Sequence, residues 1–320
     1  MLPLKNKLAV FAALCGLFVM VTASAQAVAA CREGLRLCVE LILPGLFPFF
    51  VLSALLGKLG LPSLLGRRLA PLGERLFHCS GAGCTALFMG LTGGYPLGAA
   101  YLAELAQQGE ISDREAARLL AFCNNSGPAF FVGALGTGVF GSVRIGLMLY
   151  AVHVLAAILT GLVLRGEETE AHAAVNPASP LSFSEALPEA VRQAVSACLN
   201  VCGFVVCFSV FTGLLYANGF FPLAAGHLAE LTGQPLSWCR ALLTGFFELG
   251  SGIGALRGLP PSPQNLALAA AILGWGGLSV HFQTLSLIAD REIESAPHTA
   301  GRFLSAGFSY LLALGIGYLL

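Results

Sequence analysis

Asn124, Asn125, Ser126, Gly127 and Pro128 stand side by side with apolar residues on both flanks (ARLLAFCNNSGPAFFVGAL). Three other clusters share that character: Thr92-Gly93-Gly94-Tyr95-Pro96, Glu248 with Gly250, Ser251 and Gly252, and Gly276, Gly277, Ser279, His281 and Gln283 within GWGGLSVHFQ. Amide and hydroxyl side chains, half-helix ends and a backbone carbonyl freed by proline are ligands for a small polar solute or a cation. Polar groups at membrane depth are costly and turn toward a bundle interior or a watery cavity. The candidate substrate-binding residues are therefore Gly93, Gly94, Tyr95, Asn124, Asn125, Ser126, Glu248, Ser251, Ser279, His281 and Gln283. Glycine, serine and asparagine also serve plain helix packing, with interhelical hydrogen bonds of about 0.6 kcal/mol. Four such clusters at matching positions favour a cavity. Glu248 is a carboxylate in the middle of an apolar segment; it either carries protons or, as a neutral acid, ties helices together. His281 is a further proton-carrier candidate, and His153 is read first as a packing residue.

Other chemistries find no residues to support them. There is no HExxH, no GxSxG and no phosphate loop, because GLTGGYPLG lacks the Lys-Ser/Thr pair. No catalytic set, no cofactor and no enzymatic activity is expected. The ten cysteines are scattered through apolar segments; Cys198 and Cys202 share a helix face but have no third ligand, so no metal site is expected. The net charge of zero gives no electrostatic reason to bind nucleic acid.

The elements that position these residues lie in a membrane. Of 320 residues, 56% are hydrophobic and 11% charged, with a mean hydropathy of +0.79, whereas soluble domains carry about 25% charged residues. Apolar segments fall at 8–30, 37–57, 79–106, 117–140, 143–164, 195–217, 237–257, 264–289 and 303–320. The lipid bilayer is thus the first partner. Lys5, Lys7 and the following apolar run look like a signal peptide, but an uncleaved first span over 8–30 is the preferred reading.

Segments 79–106 and 237–257 are interrupted by GLTGGYPLGA and FFELGSGIGA. Glycine costs about 1 kcal/mol inside a helix and proline about 3 kcal/mol, so each segment reads as two half-length helices. The breaks fall at corresponding places: Pro62 and Pro222, Cys79 and Cys239, and Tyr150 and Tyr310 are each 160 residues apart. Interrupted segments in matching positions of two halves point to a transporter's binding site. With re-entrant hairpins and a cytoplasmic N-terminus, twelve Lys and Arg residues, Arg302 among them, lie inside and five outside; full crossings change this to ten and seven. The positive-inside rule favours the hairpins, which invert the second half relative to the first. The fold class is then an all-α polytopic membrane protein of two inverted repeats, each with a re-entrant helical hairpin and a broken span. The divisions are a transmembrane anchor over 1–36, a first repeat over 37–165, a cytoplasmic linker with an amphipathic start over 166–194, and a second repeat over 195–320. GRRLAPLGERLF, residues 66–77, suits a basic segment lying on the cytoplasmic surface.

LCVELILPGLFPFFVLSALL, MGLTGGYPLGAAYLAEL, GEISDREAARLLAFCNNSGPAFFVGALGTGVFG and GGLSVHFQ resemble the sporulation integral membrane protein family YlbJ, grouped with nucleoside-recognition, or Gate, domain proteins. The run from Gly90 to Gly141 is its most specific part. The resemblance implies a fold like the repeat units of concentrative nucleoside transporters, a multi-pass place in the mother-cell or forespore membrane, and a part in endospore formation. No sodium-site signature accompanies it, so sodium coupling does not carry over. Three functions remain open: a Gate-type permease for a small polar or anionic solute, a non-transporting scaffold that gathers other sporulation membrane proteins for spore-envelope assembly, and, third in order, a lipid-handling protein that would need a lateral opening between the repeats.

Overall fold

The computed structural model describes residues 4–166 and 180–319, and every regular element among them is helical. Residues 167–179 of the predicted linker lie outside the described residues.

The first helices depart from a single straight span over 8–30. α1 (Leu4–Thr22) and α2 (Ser24–Leu37) meet at an angle of 99°. The Thr22 hydroxyl bonds back to the Phe18 and Val19 carbonyls beside the break, a competition with the helix ladder that bends helices. From Ser24 the chain stays helical through a π turn at Cys38–Ile42 and on through α3 (Leu43–Lys58). The π turn directly precedes Pro44 at the start of α3, a residue with no backbone hydrogen to give. Residue 36, the sequence-based end of a separate anchor, thus falls inside one continuous helical run. That run packs along α9 (Phe183–Ala217), where Gly34 sits against Ser209 and Val206.

α4 (Leu61–Phe77) follows and exposes Arg68, Glu74 and Arg75. α5 (Gly81–Gly93) and α6 (Leu97–Gln107) form a helical hairpin turning at Gly94 and Tyr95, with the Tyr95–Pro96 peptide cis. Gly94 has a φ of +82°, open to glycine without strain. α7 (Asp113–Cys123) begins at Ser112, whose hydroxyl accepts the Glu115 amide hydrogen at 3.0 Å. Losing such a cap costs about 1 kcal/mol, so Ser112→Ala is expected to lower the thermal midpoint by only about 2 °C and leave function intact, as measured on detergent-solubilised protein. After α7 the chain is extended at Asn124, and a π-helical stretch, Ala129–Thr137, leads toward α8 (Val143–Val163).

Beyond α9 lie α10 (Phe220–Thr232), α11 (Leu236–Phe247) and the short α12 (Leu249–Gly254), the last two turning at Glu248. Gly245 and Gly252 touch across this turn as Gly90 and Gly98 do across the first. α13 (Pro263–Trp275) and α14 (Gly277–Ile288) are split by two consecutive left-handed glycines, Gly276 and Gly277, with φ of +86° and +78°. A side chain at either would be strained there. α15 (Ala296–Gly317) completes the chain.

Among the described residues, four helices or helix pairs are long and apolar enough to cross a bilayer: α8, α9, α13 with α14, and α15; the bent α1–α2 pair is a fifth if counted as one span. The α13–α14 pair is the central one, with 78% of its apolar window buried, against 28% for α9 and for α15. Apolar side chains such as Phe211, Phe303 and Leu311 face outward. An aqueous protein would bury them; a multi-pass membrane protein presents them to lipid tails.

Candidate functional site

The site is built on the broken end of α7. Pro128 cannot donate to this helix, and the chain is already extended at Asn124, so the last α7 carbonyls lack helical partners. Side chains take them one after another. His298 Nδ1 bonds the Leu120 oxygen at 3.1 Å, Arg302 Nη2 donates to the Ala121 oxygen at 2.9 Å, and Asn125 Nδ2 donates to the Phe122 oxygen at 2.6 Å. The fourth carbonyl, of Cys123, is pressed between Gly90 and Gly98, where an added Cβ would lie 1.7 Å and 2.2 Å from its oxygen. Gly94 meets Gly127 in the same way with somewhat more room, a Cβ there falling 2.8 Å from the Gly127 nitrogen. The first hairpin therefore docks backbone to backbone on the break. On the other side Gly301, where a Cβ would lie 2.1 Å from the Ala121 oxygen, lets α15 come close enough for Arg302 to reach.

The sequence counts Arg302 among cytoplasmic flanking charges; the structure places it inside α15 at 0% exposure. Its Nη1 donates to the Tyr95 hydroxyl at 2.9 Å, both terminal nitrogens reach Asn125 Oδ1 at 3.4 Å, and Nε has no hydrogen-bond partner. No carboxylate among the described residues pairs with it. A helix C-terminus carries roughly half a negative charge, so the end of α7 offsets only part of the guanidinium. Tyr95 then passes the connection on, donating to the Leu273 carbonyl at 3.2 Å in α13.

On the far side of Tyr95 lies a cavity of about 20 Å³, room for about one water. Its polar lining is Tyr95, Glu248, Ser279 and Gln283; Ile42, Leu46, Val201, Val205 and Phe130 supply apolar wall. Glu248 caps α12: Oε1 accepts the Gly250 amide hydrogen at 2.9 Å and Oε2 that of Ser251 at 2.5 Å. The carboxylate thus stands at the positive end of a short helix, where negative charge is favoured. Tip to tip, the two hairpins and the two helix breaks converge here: Gly276 faces the Tyr95 ring, and Gly277 lies against the Glu248 backbone.

The chain is 30% identical over 313 residues to the sporulation integral membrane protein YlbJ of Bacillus subtilis (strain 168), an overlap of 89% of this chain and 76% of that relative. This chain belongs to the YlbJ family. No family model and no solved structure matches it. The family assignment and the apolar helices together make it a multi-pass membrane protein of a sporulation family.

The sequence-predicted residues of this YlbJ-family chain divide into three groups. Tyr95, Glu248, Ser279 and Gln283 line the cavity. Asn124, Asn125, Ser126 and His281 are buried outside its lining: Asn124 Nδ2 donates to Thr284 Oγ1 at 2.8 Å, the Ser126 amide donates to His153 Nε2 at 3.2 Å, and His281 packs on Trp275 with ring centres 4.1 Å apart. Gly93, Gly94 and Ser251 act through backbone, the glycines as contact surface and Ser251 as an amide donor to Glu248. His153, read as a packing residue, is buried against the Phe131 ring with centres 4.9 Å apart and also accepts the backbone amide hydrogen of Ser126 at the first break. Arg302, His298 and Thr284 were missed. For His298 and Arg302 the signal was present as a polar stripe on one face of α15, His298, Arg302, Ser305 and Ser309, all at 0–1% exposure, at the three- and four-residue spacing of a helix face; Thr284 lies in α14, three residues beyond His281.

Proposed function

We propose that this protein is a permease of the sporulation membrane system that carries a small, negatively charged polar solute. The observation that supports it most is Arg302, a guanidinium buried without a carboxylate partner among the described residues and bonded through Tyr95 to a cavity wall. Burying a charge costs several kcal/mol unless it is paired, and intramembrane cations mark substrate paths. A transported anion supplies the missing charge while it is bound.

The element order supports the transport reading. An apolar helix, a connecting helix, a helical hairpin, a broken helix and a long helix occur twice, once over α3 to α8 and again over α9 to α15. Read as two oppositely oriented copies, with the tips as re-entrant hairpins, they provide alternating access by rocking one copy against the other around a fixed site. Small shape changes suffice, because each hairpin tip meets a helix break through glycine backbone.

Reconstituted vesicles test the reading directly. Uptake of radiolabelled succinate, glutamate, phosphate, uridine and choline is compared with that of empty vesicles. Saturable uptake of at least one of the anions and none of choline is expected. Asn125→Leu, which removes the acceptor facing Arg302, is expected to reduce that uptake at least about tenfold, the loss of about 1.4 kcal/mol of binding, with the protein still in the membrane. Absence of uptake for all three anions, together with full sporulation in an Asn125→Leu strain, would refute the permease and leave the scaffold function.

A further inference from the structure

Four buried side chains in or beside the site have a basic atom: Glu248, His153, His281 and His298. Glu248 uses both oxygens to cap α12, so a proton there competes with one of the two cap hydrogen bonds. His153 Nε2 accepts the Ser126 amide hydrogen, which occupies its basic nitrogen and places the ring proton on Nδ1. His281 and His298 are different. Nδ1 of each meets a backbone carbonyl, Gly277 at 2.9 Å and Leu120 at 3.1 Å. A carbonyl only accepts, so each Nδ1 holds the hydrogen and each Nε2 is the bare, basic atom. Both Nε2 atoms are buried with no hydrogen-bond partner, and the two rings stand 5.0 Å apart. The residues are 6% and 1% exposed.

We propose that His281 and His298 form a proton-binding site that takes up one proton between them and couples it to solute binding beside Arg302. The coupling rests on the permease reading above; the proton site does not. A proton from water adds to the lone pair of one Nε2, and no other bond changes. A second proton is opposed by the first across 5.0 Å, and Arg302 lies one turn beyond His298 on the same face of α15. An anion arriving beside Arg302 offsets the guanidinium and favours the proton; by reciprocity the proton favours the anion. His298 and Arg302 hold consecutive carbonyls at the broken end of α7, Leu120 and Ala121, so both events act on one piece of backbone.

Among the elements packed against the pair, α15 itself adds Arg302, a buried cation that opposes the proton until an anion offsets it. α7 adds the thiol Cys123 and also buries Glu115, α8 adds the already occupied His153, and the α11–α12 turn the capped Glu248. α13 carries no ionisable residue, α6 and α9 present the half-buried Tyr101 and Cys202, and Arg240 of α11 is exposed. An acceptor for the new Nε2 hydrogen is at hand by position: Asn124 Oδ1 is buried without a partner, and its amide nitrogen donates to Thr284, three residues beyond His281.

The test is nitrogen NMR of the full chain, labelled with ¹⁵N-histidine and held in lipid nanodiscs without added solute. Signals are assigned by their loss in His281→Gln and His298→Gln. Titration runs from about two pH units above the ordinary imidazole value near 6.5 to about two below. Both rings are expected to show a protonated Nδ1 and bare Nε2 at the start, and the pair to gain one proton in total. An Nε2–H form at either ring at the start, two independent protonations, or no protonation over that range would each overturn the proposal. Because no solute is present, none of these outcomes depends on whether the permease reading holds.

Discussion

Arg302→Gln is expected to abolish transport and sporulation function while leaving the fold almost unchanged. Two opposing contributions decide this. The substitution removes hydrogen bonds to Tyr95, Asn125 and Ala121, and an orphaned buried acceptor costs about 1–3 kcal/mol. It also removes a buried cation that no carboxylate among the described residues compensates, which relieves a desolvation cost of several kcal/mol for a buried ion. Glutamine keeps an amide donor for the Ala121 carbonyl. The thermal midpoint should therefore move by no more than about 3 °C, the equivalent of roughly 1 kcal/mol. Anion uptake should fall about a hundredfold or more, which is the loss of about 3 kcal/mol of charge-assisted binding. Arg302→Lys should not rescue it, because a single ammonium cannot serve Tyr95, Asn125 and Ala121 together. If Arg302→Gln unfolds the protein, or transports normally, the guanidinium is a structural clamp and not an anion ligand.

Gly90→Ala should produce the largest loss of stability of any single methyl addition. The new Cβ would lie 1.7 Å from the Cys123 carbonyl oxygen and 3.3 Å from the Gly98 Cα. Both neighbours are backbone, so no rotamer change relieves the contact. Ordinary overpacking costs about 1–3 kcal/mol, where side chains can give way; here the first hairpin must retreat from the α7 break. A loss of about 4 kcal/mol, or about 10 °C in thermal midpoint, and much reduced accumulation in the membrane are expected. Gly203→Ala is the control. Its Cβ would meet nothing within 4 Å in the long α9 helix, and alanine is about 1 kcal/mol the better helix former. The same chemical change should then stabilise slightly. Equal behaviour of the two variants on thermal unfolding would show that the hairpin does not dock as described.

The first hairpin tip and the second helix break were legible because their causes are local. Glycine and proline weaken a helix wherever it lies, as at Gly93-Gly94-Tyr95-Pro96 and Gly276-Gly277, and hydropathy declares the membrane from composition alone. Glu248, Ser279, Gln283 and Tyr95 were identified on the same ground, as polar groups in apolar segments, and they line the cavity. Ser126 and Asn124 were also found, yet their partners His153 and Thr284 were not assigned to them. Those partners come from other helices, 27 and 160 positions away.

What the residues determined by themselves was an all-helical membrane chain with two interrupted hairpins and a short roll of polar groups that had to avoid lipid. Only the tertiary structure decided that Arg302 is an interior cation. A charge six residues into a helix looks like an interfacial anchor when the helix is read alone, and glycine at 301 looks like mere flexibility. Packing gives both another meaning: Gly301 admits the α7 backbone, and the carbonyls left open at Leu120 and Ala121 draw in His298 and Arg302. A carbonyl without a partner in one helix recruits a donor from whichever helix lies alongside, and that choice is made by close approach in three dimensions.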